Sequence, residues 1–362
     1  METKLNIMPV YNLSGNKKRP VIISGPCSAE NESQVLATAK AIAKIDPSII
    51  FRAGIWKPRI RPNSFEGAGA EGLGWLQKVK KETGMKITTE VANARHVEEC
   101  LKHGIDILWI GARTTMSPFA VQEIADALKG IDIPVMIKNP VSPDLQLWIG
   151  AIERIRQAGI NNIVAIHRGF YTFGKSPFRN DPDWEIAVEL KLMFPTLPVF
   201  CDPSHICGNT ELIPYISQKA LDMEMDGLMI ETHILPESAK SDAKQQLTPL
   251  QLEELLSKLV VREPVSQNRK FIDRLAELRL NINKIDDEIL RLLMSRMKTA
   301  REIGRYKKEN NVTILQAARW EELLKDRISS GQMMGLSEDL VKRFYRIIHE
   351  ESVHMQSEIM NS

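Results

Sequence analysis

The sequence predicts a closed (β/α)8 barrel followed by an all-α domain of three helices, and three observations predict it. Eight short runs of apolar and β-branched residues alternate with amphipathic stretches between residues 20 and 262. Eight strand–helix repeats in about 240 residues match the usual size of a TIM barrel. Beyond residue 262 the strand-like runs stop and an apolar 3-4 spacing takes over.

The strand-like runs are 21–27, 49–55, 86–91, 107–112, 134–139, 163–169, 198–205 and 227–233. Each is nearly continuous in apolar residues, as strands covered on both faces should be. Between them, 32–44, 72–83, 144–158 and 248–260 read as amphipathic helices. An open doubly wound sheet is the alternative, but no Gly-rich dinucleotide fingerprint follows the first run. The barrel domain is drawn at 1–262, a linker at 263–270 on its Glu-Pro and Ser-Gln-Asn composition, and the helical domain at 271–362. Residues 271–309 contain no Pro and one Gly, and Leu275, Leu278, Ile282, Ile285, Ile289 and Leu292 form one stripe. That predicts a single long helix, followed by shorter ones at 317–329 and 337–360. Two short helices cannot bury a helix of about 40 residues, so the domain is expected to dimerise.

Composition narrows the function classes. The 362 residues are 43% hydrophobic and 26% charged, with a net charge of +2. No basic run marks a nucleic-acid surface, and no apolar run approaches the ~18 residues that span a bilayer. The start lacks a signal-peptide h-region, so a cytoplasmic location is expected. Four cysteines in a chain of this length do not form a disulfide framework.

Polar residues crowd the carboxyl ends of the predicted strands, where barrel active sites lie. In order they are Cys27, Arg52 with Lys57 and Arg59, Glu90, Arg113, Lys138, Arg168, His205 and Glu231, with Asp242 in the loop that follows. Two subsets separate by chemistry. Cys27, His205, Glu231 and Asp242 offer a thiolate, an imidazole and two carboxylates, a set suited to a first-row divalent metal. Arg52, Lys57, Arg59, Arg113, Lys138 and Arg168 form a cationic pocket that would repel itself if empty and calls for a multiply charged anion.

Gly-Pro-Cys-Ser at 25–28, Lys-Pro-Arg at 57–59, Gly-Ala-Arg at 111–113, Asp-Pro-Ser-His at 202–205, Glu-Thr-His at 231–233 and Ser241-Asp242 together resemble the type Iβ 3-deoxy-D-arabino-heptulosonate 7-phosphate (DAHP) synthases. The resemblance implies condensation of phosphoenolpyruvate with erythrose 4-phosphate. It implies that Cys27, His205, Glu231 and Asp242 bind one divalent metal, with Mn²⁺ expected and Fe²⁺, Co²⁺ or Zn²⁺ as alternatives. Arg52, Lys57, Arg113, Lys138 and Arg168 would hold phosphoenolpyruvate, Arg59 would hold the aldose phosphate, and Pro58 is among the substrate-binding residues. The metal would polarise the aldehyde oxygen. Lys57 and Glu90 are the candidate catalytic residues, Glu90 for the water that captures C2. Ile60-Arg61 departs from the family, which usually continues with Thr-Ser. The related 3-deoxy-octulosonate 8-phosphate synthases carry Ala-Asn-Arg in place of Lys57-Pro58-Arg59, which favours erythrose 4-phosphate as the acceptor.

In the helical domain Arg296 and Lys307 are eleven residues apart and share a face, whereas Arg279 lies seventeen residues before Arg296, about 25 Å along the axis. A second, antiparallel copy would bring its own Arg279 back to Arg296 and Lys307. Leu278-Arg279, Ser295-Arg296, Gly304 to Lys307, Arg319 and Ser352 to Gln356 resemble AroQ-type chorismate mutases. The resemblance implies a cofactor-free rearrangement of chorismate to prephenate. Arg296 and the other copy's Arg279 would clamp the carboxylates, Lys307 and Gln356 would face the ether oxygen, and Arg319 and Ser352 would support them. Trp320 stands where the family usually has a Glu that contacts the substrate hydroxyl. The alternative is that this domain mainly binds a late metabolite for regulation. About twenty residues precede the first strand, which is expected to leave no room for a separate regulatory domain there. Prephenate or chorismate, bound in the helical domain, is therefore the expected feedback inhibitor.

Overall fold

The structure, a computed structural model, describes residues 13, 20–57, 65–174, 176–263 and 265–361. It divides into two compact units, the first ending at Pro264 and the second beginning at Val265.

The first unit is a closed barrel of eight parallel strands in sequential order. They are β1 (Val21–Gly25), β2 (Ile50–Arg52), β3 (Ile87–Val91), β4 (Ile107–Ile110), β5 (Val135–Lys138), β6 (Ile163–His167), β7 (Val199–Cys201) and β8 (Gly227–Glu231). Closure is made by β1 on β8, with Val21 opposite Gly227 and Gly25 opposite Glu231. The connecting helices are α1 (Glu32–Ile45), α2 (Glu71–Thr83), α3 (Ala94–Lys102), α4 (Ala112–Thr115), α5 (Pro118–Ala127), α6 (Leu145–Gln157), α7 (Trp184–Met193), α8 (Pro203–Cys207), α9 (Ile213–Asp222) and α10 (Pro249–Lys258).

Strand periodicity sorts the core into two layers. Val21, Ile23, Ile50, Ile107, Trp109, Met136, Val164, Ile166, Phe200 and Met229 fill the barrel interior. Their neighbours, such as Leu108, Ile110, Ile137 and Ala165, face the helices in a larger outer cluster. Most strands stop short of the predicted runs, because the last residues of each run leave the ladder to build the loops above it. The seventh run is the clearest case. It was expected to stay extended through His205, but Pro203 opens α8 and the Asp202 side chain caps it by accepting from the His205 backbone N–H. A proline at the first helical position is already set to helical φ.

The second unit contains α11 (Arg269–Glu309), α12 (Ala317–Met333) and α13 (Glu338–Asn361). Helix α11 starts two residues before the expected domain start at 271, because Asn268 caps it by accepting from Phe271 N–H. Only Ala300 and Gly304 of its 41 residues are buried. The predicted stripe lies open in the single chain, with Ile282 at 56%, Ile285 at 54% and Leu292 at 70% exposure. No described helix is long and apolar enough to cross a membrane.

Candidate active sites

Cys27, Glu231 and Asp242 converge at the carboxyl end of the barrel, with one ligand atom of each lying within 4.8 Å of the others. Gly25 makes this possible. Its φ is +147°, and a Cβ there would sit 2.1 Å from the Arg52 carbonyl oxygen, so only glycine lets the chain turn this tightly off β1. The Cys27 backbone N–H then donates to Gln246 Oε1 at 2.9 Å, tying it to the loop that carries Asp242. The Cys27 thiol donates to Asp242 Oδ2 at 3.3 Å. Burial, and then the Glu231 carboxylate, push that thiol up to about 12. Fully buried Glu231 accepts from Arg52 Nη2 at 3.0 Å and from Gln245 Nε2 at 2.7 Å.

His205 approaches from α8. Its Nε2 is 3.7 Å from Glu231 Oε1 and its Nδ1 is 2.8 Å from Asp202 Oδ2. Burial holds the ring below its ordinary pKa even though Asp202 pulls upward, so the imidazole is neutral and has a lone pair to give. A thiol and two carboxylates gathered at one point, with a neutral imidazole 3.7 Å from one of the carboxylates, fit a first-row divalent ion.

Cations surround this cluster. Lys57 Nζ lies 3.0 Å from both the Cys27 carbonyl oxygen and its Sγ. Arg52 is 1% exposed, and its Nε and Nη1 have no hydrogen-bond partner among the described residues. Its guanidinium lies over the Trp109 ring at 4.9 Å. Buried donors left free beside a metal-type cluster point to an acceptor brought by a ligand. Lys138 Nζ donates to Asp202 at 2.7 Å. Arg168 is buried, donates to Asn180 Oδ1 at 2.7 Å, and is lowered to about 10 by burial and by Arg179 and Arg113 nearby. Arg113 is exposed on α4. Glu90 accepts from the Trp109 indole N–H at 3.1 Å. It fits because Gly111 has no side chain, since a Cβ there would meet Glu90 Oε1 at 2.0 Å. Pro58, Arg59, Ile60 and Arg61 lie outside the described residues.

Sequence reasoning passed over three residues of this site. Asp202 is fully buried and bridges Lys138 to His205, joining the anion pocket to the metal cluster. Burial alone would raise its pKa, but His205 and Lys138 hold it well below the usual carboxylate range. The motif containing it was legible; this bridging was not. Arg179 donates to Asp242 Oδ1 at 2.9 Å and to Gln245 Oε1 at 2.6 Å, fixing the other side of Asp242. Arg179 stands in an irregular segment and Gln245 ends a three-residue 3-10 turn, both too short of regular structure for periodicity to mark them.

In the helical unit Arg296 Nη1 donates to Ser352 Oγ at 2.7 Å, joining α11 to α13. Lys307 Nζ donates to the Ile314 carbonyl. Gln356 is buried, and its Oε1 has no partner among the described residues. Arg319 is exposed and pairs with Glu322 at 2.6 Å. Arg279 is exposed on α11. The single chain therefore brings Arg296, Lys307, Ser352 and Gln356 toward one face, with Arg279 well along the helix.

Both units match known protein families. Residues 6–265 match the DAHP synthetase I family, and residues 278–357 match chorismate mutase type II. A phospho-2-dehydro-3-deoxyheptonate aldolase of Thermotoga maritima is 31% identical over 226 residues, 62% of this chain and 64% of that protein. The match thus spans less than two thirds of that relative. A 2-dehydro-3-deoxyphosphooctonate aldolase of Francisella tularensis is 29% identical over 68% of this chain and 92% of its own length. The crystal structure of the Thermotoga DAHP synthase superposes with a TM-score of 0.60 at 29% identity, covering 66% of this chain and 68% of that one.

Proposed function

This chain belongs to the DAHP synthetase I family, and we propose that it carries two activities of one biosynthetic route. The barrel condenses phosphoenolpyruvate with erythrose 4-phosphate to DAHP and phosphate. The helical unit, which matches chorismate mutase type II, rearranges chorismate to prephenate. The observation that carries the reading is the cluster of Cys27, Glu231 and Asp242 beside Arg52, whose buried Nε and Nη1 have no hydrogen-bond partner among the described residues.

Cys27, His205, Glu231 and Asp242 are the residues that would hold a divalent ion, Mn²⁺ in this proposal. Bound there, the ion supplies Lewis-acid polarisation of the aldehyde. The protein's own groups do the rest. Arg52, Lys57, Arg113, Lys138 and Arg168 bind and orient phosphoenolpyruvate through its carboxylate and phosphate. Three of that set, Arg52, Lys138 and Arg168, are held in advance by Glu231, Asp202 and Asn180. Lys57, beside Cys27, stabilises charge as it shifts between the reactants. Glu90, steadied by the Trp109 indole, orients the water that adds to C2 and accepts its proton. Arg59, beside Pro58 in the substrate-binding motif, grips the aldose phosphate. The 2-dehydro-3-deoxyphosphooctonate relatives keep arabinose 5-phosphate in view as a second acceptor, and Lys57-Pro58-Arg59 favours the shorter sugar.

In the helical unit Arg296 and the partner's Arg279 bind the two carboxylates of chorismate, while Lys307 and Gln356 meet the ether oxygen. Catalysis then needs only a folded substrate and a cation beside the breaking bond. Arg319 and Ser352 support the site. The exposed stripe on α11 supports a homodimer, because it leaves apolar surface that a second copy would bury. Four free cysteines support a reducing, cytoplasmic setting. Prephenate or chorismate bound at Arg296 and Lys307 inhibits the barrel reaction.

The tests are direct. A strong chelator should abolish the barrel reaction and Mn²⁺ should restore it in the intact chain but not in Cys27→Ala or His205→Ala. Full activity without metal would overturn the ligand assignment. Chorismate disappearance in the intact chain tests the second activity, and binding without turnover would make the helical unit a sensor.

A further inference from the structure

Trp320 of α12 lies flat against His349 of α13, with ring centroids 4.0 Å apart and planes 14° from parallel. Both rings are half-buried, so neither is simply a core residue. The position of His349 on its helix matters. His349, Ser352 and Gln356 stand at i, i+3 and i+7, and at about 100° per residue they share one face of α13.

That face meets α11. Ser352 accepts from Arg296, and Gln356 Cγ lies 3.0 Å from where a Cβ on Gly304 would be. Arg296 and Lys307 both act electrostatically on the His349 ring, so it stands within reach of the two cations of the pocket. Burial first, and then Arg296, hold the imidazole below its ordinary pKa and keep it neutral near pH 7. A neutral imidazole has one donor and one acceptor. The buried Gln356 Oε1, unpaired among the described residues, shows that this face has polar capacity a ligand would use.

The chemistry of a chorismate-type ligand leaves one group unaccounted for. Its two carboxylates call for Arg296 and the partner's Arg279, and its ether oxygen for Lys307. The ring hydroxyl can both give and take a hydrogen bond, and a neutral imidazole, with one donor and one acceptor, can meet it either way. We propose that His349, held in place by its stack on Trp320, contacts the ring hydroxyl of a dicarboxylate substrate and sets the preference for the hydroxylated ring. The proposal rests on the mutase reading of the helical unit. Trp320 is then a positioning residue, acting through His349.

The experiment uses the full-length chain and two probes, chorismate and an analogue in which the ring hydroxyl is replaced by hydrogen. Binding and kcat/KM are measured for the unmodified protein, His349→Phe and His349→Gln. The Phe variant keeps a ring to stack on Trp320 and removes only the hydrogen bond, and Trp320→Phe provides a second route if it fails to fold. A single hydrogen bond worth about 0.5–1.5 kcal/mol sets the scale, a preference of about 2- to 13-fold for chorismate. The unmodified protein should show that preference, His349→Phe should lose it mainly through KM, and His349→Gln should recover part of it. Trp320→Phe should weaken the preference without removing it. Undiminished preference in folded His349→Phe would overturn the proposal and make His349 a packing residue. Failure of the unmodified protein to bind either probe would instead overturn the mutase reading on which the proposal rests.

Discussion

Metal binding at the barrel site should release one proton, and that proton should come from Cys27. The Cys27 thiol donates to Asp242, and burial with the Glu231 carboxylate raises it to about 12. The ligand is the thiolate, so metal must displace this proton. At pH 7.5 removing it costs about 6 kcal/mol, at about 1.36 kcal/mol per pH unit below the pKa. The other three ligands add no proton in this range. The carboxyls of Glu231 and Asp242 are held below their ordinary values, and His205 is held below its own. Apparent affinity should therefore rise about tenfold per pH unit between roughly pH 7 and 8.5. Calorimetric titration of Mn²⁺ in two buffers of different ionisation enthalpy counts the proton, and affinities at three pH values give the slope. Cys27→Ser should bind more weakly with a slope near zero. A flat pH profile for the unmodified protein would refute the reasoning, because it would mean that the thiol keeps its proton when metal binds.

Asp202→Asn should strand the buried Lys138 ammonium, at a cost of about 3–5 kcal/mol, or a fall in Tm on the order of 10 °C. Because the Asp202 carboxyl is held below its ordinary value, the stability gap from the unmodified protein should be constant above about pH 5 and shrink as acid protonates it; a gap that grew in acid would contradict this. The same variant should lose about 10- to 100-fold in metal affinity, since Asp202 orients His205. Homodimers of Arg279→Ala and of Arg296→Ala should each be nearly inactive as mutases, and mixing them under exchange should restore activity in one site of each heterodimer. No recovery in demonstrated heterodimers would place the site within one chain. Prephenate should inhibit the barrel reaction of the intact chain through a coupling of about 1–3 kcal/mol. Arg296→Ala should escape it, and equal inhibition of both proteins would put the effector on the barrel.

The barrel was legible because its strands carry a simple signal. A run buried on both faces is continuously apolar, and a polar residue at its end stands out. Cys27, Glu231 and Lys138 were found that way. What escaped depends on which strands become neighbours in space. Asp202 reads as one more strand-end carboxylate until β5, β6 and β7 close side by side and put it between Lys138 and His205. Arg179 reaches Asp242 across 63 residues of sequence, a pairing that only tertiary structure provides. The turn into helix at Pro203 could have been read, since proline after a capping Asp is a helix-start signal. In the helical unit the 3-4 spacing gave the long helix and its apolar stripe. The stack of Trp320 on His349 did not follow, because it joins α12 and α13 through side chains that no periodicity pairs.

The account stands most directly on the product of the barrel reaction. The intact chain, loaded with Mn²⁺, should be given phosphoenolpyruvate with equimolar erythrose 4-phosphate and arabinose 5-phosphate, and its products separated and identified by mass. The account predicts the seven-carbon DAHP and inorganic phosphate in equal amounts, with the eight-carbon acid at trace level. The eight-carbon acid as the main product, or no condensation with either sugar in metal-loaded protein, would contradict it.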